Sequence, residues 1–233
     1  MMENFNDSSD KALNDILREI QQQNELYAEV PMQPDILPGS DTRIIKYGDV
    51  DHYRDFNHKQ GVNPEFQGTC GIVSCEDVLK QFGQTDVSEG ELVDFAVDND
   101  LCDVSRDRYK SGGTTVFNQR DILQLHEIPA HVEVMNNFEG LAGYVEQGRG
   151  VILEVNAGVL WNDPRAYDFG QANHAIVVTG YARNAETGNI EGFYINDSGR
   201  GYATDSGRFV SCDTLQDAFL DAGGMSVVTD MVH

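Results

Sequence analysis

Around Val151 the chain changes rhythm, and that change limits its fold more than any other feature. Before it, apolar residues recur at the three- and four-residue spacings of helices. Ile72, Cys75, Leu79 and Phe82 share one helical face that Gly83 ends. Ser88 and Glu91 form a capping box that opens a second helix through Leu92, Phe95 and Ala96. Gly112-Gly113 precedes a third helical stretch over 118–126, Pro129 breaks the chain, and 131–134 reads as a strand. Asn137 caps a helix carrying Phe138, Leu141 and Val145, which Gly148 terminates. After it, β-branched runs take over: VILEV (151–155), HAIVVTGY (174–181), a turn at 186–189, and GFYIN (192–196) as a hairpin partner. A helix over 214–222 and a strand, MSVVT, finish the chain. Helices first and a mostly antiparallel sheet afterwards predict an α+β fold. The doubled Asp-Ser-Gly-Arg, at 197–200 and 205–208, reads as two similar turns.

Residues 1–45 stand apart. Leu13, Ile16, Leu17 and Ile20 outline one short amphipathic helix, and three of the six prolines follow in EVPMQPDILPGSD, a linker or an arm laid on the domain. The expected division is 1–45 for this segment and 46–233 for the domain that carries the chemistry. The start, MMENFNDSSDKALN, has neither a basic opening nor an apolar core, so the expectation is a cytoplasmic protein or one exported without a cleaved signal. No run approaches the ~20 apolar residues of a membrane span.

A formal charge of −23 repels phosphate backbones and anionic headgroups, which argues against nucleic-acid or membrane partners and leaves room for a basic peptide. The four cysteines, Cys70, Cys75, Cys102 and Cys212, contain no C-x-x-C pair; neither a disulfide scaffold nor structural zinc is expected, and no cofactor is called for. Asp98, Asp100, Asp103 and Asp107 lack the glycine and closing glutamate of a calcium loop and read as a solvated acidic stretch.

Cys70 opens a helix, where unpaired N–H groups and the dipole favour a thiolate. Cys75 lies deeper, on the apolar face. Cys70 is therefore the candidate nucleophile and Cys75 a core residue. A cysteine nucleophile needs a base and a group to orient it. His174 begins a strand after the polar loop RAYDFGQAN, and the hairpin brings Asn196 and Asp197 to its side, either of which can hold the ring. Trp161, ahead of the base, is either an ordinary loop or core aromatic or a wall of the substrate cleft.

CGIVSCEDVLKQFGQTDVSEGELVDFA, GGTTVFNQRDILQLHEIPAHVEV, HAIVVTGYARN and GFYINDSGRG together resemble papain-like cysteine peptidases of the bacteriocin-leader-processing (double-glycine) type. The resemblance runs over about 65–229. It implies a papain-like fold, with the nucleophile helix packed on the sheet. It also implies peptide or amide hydrolysis through Cys70 as nucleophile, His174 as base and Asp197 as orienting acid, with Asn196 as the alternative orienter. Those families place an oxyanion-hole glutamine further upstream of the cysteine, where this chain has Pro64; Gln67, three residues before Cys70, is the nearest candidate. Effector and toxin domains use the same constellation for deamidation, acyl transfer or isopeptide cleavage. A binding module with a spent site is the third alternative.

Overall fold

The structure, a computed structural model, describes residues 30–233. The helix expected within residues 1–29 lies outside the described residues. Eight strands form one sheet: β1 (Met32–Ile36), β2 (Arg43–Tyr47), β3 (Ala130–Val134), β4 (Val151–Val155), β5 (His174–Asn184), β6 (Ile190–Asn196), β7 (Arg208–Ser211) and β8 (Met225–Thr229). The order β1-β2-β5-β4-β8-β3 runs along one path, with β6 on β5 and β7 on β6. Every pairing is antiparallel. The long β5 organises the sheet. One edge pairs first with β4 (Val155↔His174) and further on with β2 (Tyr47↔Tyr181), while the other carries β6.

Alternation along β4 sends Val151, Leu153 and Val155 to one face and Ile152 to the other. On the Ile152 face lie α2 (Cys70–Gln81), α3 (Glu89–Asp98) and α4 (Val116–Leu125), which bury Ile72, Val78, Leu79, Leu92 and Ile122 against Ala175 and Val177. Against the opposite face pack α5 (Phe138–Glu146), α6 (Ala157–Trp161) and α7 (Cys212–Leu215), the last continued by one π turn over Gln216–Leu220. A short α1 (Val50–Tyr53) precedes the loop that leads to α2. The fold is α+β, as the order of patterns predicts, and papain-like, as the resemblance implies.

Two expectations shift. The boundary drawn between residues 45 and 46 falls inside β2, because Met32–Tyr47 is a hairpin joined to β5. Pro34 is tolerated there because, among the described residues, β1 is an edge strand with no further neighbour to receive an N–H. The third helix begins at Val116 rather than Asn118, since Thr115 and Asn118 form a full capping box.

Candidate active site

The loop before α2 and the start of β5 meet at a cleft of about 930 Å³, lined by Cys70, His174, Trp161 and Gly199 among others. Cys70 is the first residue of α2, and the first intrahelical acceptor is the Thr69 carbonyl, taken by Val73 N–H at 2.9 Å. The N–H groups of Cys70, Gly71 and Ile72 precede the helical ladder, so the sulphur sits at the positive end of a helix. Glycine follows it of necessity: a Cβ on Gly71 would lie 2.1 Å from Thr114 Oγ1 and 2.6 Å from Gln119 Nε2. Cys70 is half-buried, whereas Cys75 is fully buried in the α2 core, and burial pushes its thiol up, away from ionisation.

His174 Nε2 lies 2.8 Å from Asp197 Oδ1, leaving Nδ1 as the nitrogen that can serve Cys70. Burial works against a charged ring here, but the Asp197 carboxylate and the Cys70 sulphur outweigh it and hold the imidazole well above its ordinary value. Asp197 is completely buried, which disfavours its charge, yet His174 and its other donors keep the carboxyl below the usual range. Those donors are Trp161 Nε1 at 2.7 Å and Arg208 Nη2 at 3.0 Å on Oδ2, with the Gly199 N–H at 3.0 Å on Oδ1. All four carboxylate bonds are charge-assisted and fix the oxygen that faces the ring.

The doubled Asp-Ser-Gly-Arg has a structural meaning. The two copies interlock, Arg208 of the second reaching Asp197 of the first and Arg200 of the first reaching Asp205 of the second at 2.5 Å.

Asn196 does not reach the imidazole. Successive residues of a strand face opposite ways, so Asn196 turns toward α2, donating to Asp77 Oδ2 and to the Tyr53 carbonyl, both at 2.8 Å. Gln67 is likewise occupied. Its Nε2 donates to the carbonyls of Gly61 at 2.8 Å and Asn63 at 2.9 Å, which uses both amide hydrogens on the shape of its own loop. Trp161 lines the cleft and also lies against the His174 ring, centroids 5.0 Å apart.

Two side chains at the site escaped the sequence reading. Gln60 lines the cleft; its Nε2 donates to the Gln67 carbonyl at 2.9 Å and its Oε1 accepts from Ser198 Oγ at 3.2 Å. One amide hydrogen of Gln60 is left over. Buried Glu89, in the first turn of α3, accepts from Gly61 N at 2.8 Å, Val62 N at 3.2 Å and Thr69 Oγ1 at 2.5 Å, clamping the loop that delivers Cys70. Among the described residues no three His, Cys, Asp or Glu side chains converge as a metal site, and no helix is long and apolar enough to cross a membrane.

A sequence profile described as the Peptidase_C39 like family matches residues 47–227. The chain belongs to that family. As a Peptidase_C39-like protein it is a cysteine peptidase, and its substrate is a protein or peptide. No curated protein matches it. Among solved structures it is similar to a candidate C39-like peptidase from Bacillus anthracis, at 15% identity and a TM-score of 0.53, over 76% of this chain and 94% of that one. At that identity the likeness supports the fold.

Proposed function

We propose that the protein hydrolyses a peptide bond through Cys70, His174 and Asp197, by way of an acyl-enzyme. The observation that carries this reading is the meeting, in one cleft, of a half-exposed cysteine at a helix N-terminus with a histidine bound to a buried, fully engaged aspartate. Cys70 gives its proton to His174 Nδ1 and its sulphur attacks the carbonyl carbon. The charge that develops on the carbonyl oxygen is met by the Cys70 N–H and by the unspent amide hydrogen of Gln60, in the role the sequence suggested for Gln67. His174 then donates its proton to the leaving nitrogen as the C–N bond breaks. Water, deprotonated by His174, attacks the thioester; the C–S bond breaks and the acid leaves. Asp197 keeps the ring in one tautomer and orientation throughout.

A mixed peptide library incubated with wild-type protein and with Cys70→Ala, and read by mass spectrometry, tests this. New termini formed by the wild type alone support it. Ammonia release with every chain intact would instead point to deamidation.

A further inference from the structure

The cleft holds a second acidic feature that the reaction leaves unused. Glu154 lies on β4 between buried Leu153 and Val155, cross-strand from Ala175, the residue after His174. It lines the cleft together with Cys70, and its Oε1 accepts a single 2.6 Å hydrogen bond, from Gln119 Nε2. Among the described residues the only cation that bears on it is the His174 ring. Burial pushes its carboxyl up to about 7, and the Gln119 hydrogen bond and the His174 ring offset that only in part.

Gln119 sharpens the picture. It is 1% exposed and lines the same cleft, and its Nε2 is divided between Thr114 Oγ1 at 3.2 Å and Glu154. Its Oε1 has no partner. A buried amide oxygen without a partner and a half-buried carboxyl with one donor, on adjoining side chains, form a floor that offers acceptors to a cation when Glu154 is ionised. Leaving such groups unpaired is costly, and a cation with several N–H donors satisfies both. The rim differs: Lys59, Lys110, Arg165 and Asp103 also line the cleft but are exposed, and Arg165 is paired with Asp163 at 2.7 Å. Exposed charges of mixed sign confer little selection. A Cβ on Gly71 would meet Gln119 Nε2 at 2.6 Å, so this floor lies beside the residue that follows the nucleophile.

We propose that Glu154, held by Gln119, is a subsite for a lysine or arginine side chain of the substrate close to the bond that Cys70 attacks. The proposal rests on the hydrolase reading above and names the chemistry of its substrate.

Tripeptidyl fluoromethyl ketones with arginine or its neutral isostere citrulline at each position in turn test it on the full chain. The readout is the ratio of Cys70 alkylation rates, arginine over citrulline. At one position the wild-type ratio is about tenfold or more, in line with a desolvated charge pair, and in Glu154→Gln it falls toward one. A ratio near one at all three positions, or one that persists in Glu154→Gln, overturns the subsite. Persistence with uniformly slower alkylation would mean that Glu154 acts on His174 instead. If no ketone modifies wild-type Cys70, the hydrolase reading fails, and binding decides the subsite. N-acetylarginine amide, but not N-acetylcitrulline amide, must then shift the NMR amide signals of Gly71 and Ala175 in the wild type and not in Glu154→Gln; no shift contradicts the proposal.

Discussion

Trp161 donates its indole N–H to Asp197 at 2.7 Å while its ring lies against His174, so one side chain supports both the carboxylate and the imidazole. The Gly199 backbone closes the same corner: a Cβ there would sit 2.4 Å from the indole and 3.0 Å from the imidazole. Trp161→Phe keeps an aromatic surface on His174 but removes a hydrogen bond to a charged group, worth about 1.5–3 kcal/mol. Peptide cleavage should fall roughly ten- to hundredfold in kcat/KM. Unchanged turnover would mean that Arg208 and Gly199 suffice to hold Asp197.

Adjacent residues on β6 and just beyond it should behave as opposites. Asp197→Ala removes the acceptor that holds His174 in one tautomer, and a loss of about 10³- to 10⁴-fold in kcat is expected. Asn196→Ala removes one donor from buried Asp77 and one from the Tyr53 carbonyl, which costs about 1–3 kcal/mol in urea unfolding, with activity per folded molecule largely kept. The reverse pattern would assign the orienting role to Asn196.

The two glutamines separate in the same way. Gln60→Ala removes the proposed oxyanion donor and should lower kcat about 10²- to 10³-fold. Gln67→Ala strips two carbonyls of their donor and should appear mainly as lost stability, about 1–3 kcal/mol. Steady-state kinetics beside thermal unfolding of both variants checks the division. A larger kcat defect in Gln67→Ala would return the oxyanion role to that residue.

The longer helices and most strands were legible in the sequence because local signals agreed, whereas the short α1 and α6 were not. The apolar face of α2 ends at Gly83, Ser88 and Asn137 cap where they should, and β4 is an apolar, β-branched run interrupted only by Glu154. The β1–β2 hairpin was not legible. All of β1 is exposed and it carries a proline, so it has no core face to reveal it. Cys70, His174 and Asp197 could be proposed from the sequence because each stands at the end of a readable element. Gln60 could not, because Gly61 (φ +85°) turns the chain and Ser198, far away in sequence, decides where that side chain goes. Glu89 hid for the same reason: the capping box located the helix start, but only the tertiary path of residues 61–69 shows what its carboxylate holds.

Stability should depend on pH through His58, which lies 2.9 Å from Glu76 on the flank of α2. The hydrogen bond to Glu76 pushes its pKa up to about 9. For Glu76, burial opposes charge, but hydrogen bonds from His58 and Lys80 hold the carboxyl below its usual value. A raised imidazole stabilises fully below its unfolded value of about 6.5, and that stability is lost as pH rises through about 9. The lowered Glu76 carboxyl contributes above its unfolded value and loses its contribution as pH falls through the folded one. With the ring partly exposed, His58→Gln should cost on the order of 1 kcal/mol near pH 6. Urea midpoints of wild type and variant should converge toward pH 10; a gap that widens with pH would contradict the ion pair.

The central claim is that His174 activates Cys70. A brief, low-dose iodoacetamide pulse near pH 6, followed by peptide mapping, measures this in wild type and in His174→Ala. Rapid adduct formation at Cys70, sparing buried Cys75 and falling by at least about tenfold without His174, is the predicted result. Slow labelling spread over the accessible cysteines and indifferent to His174 would contradict it.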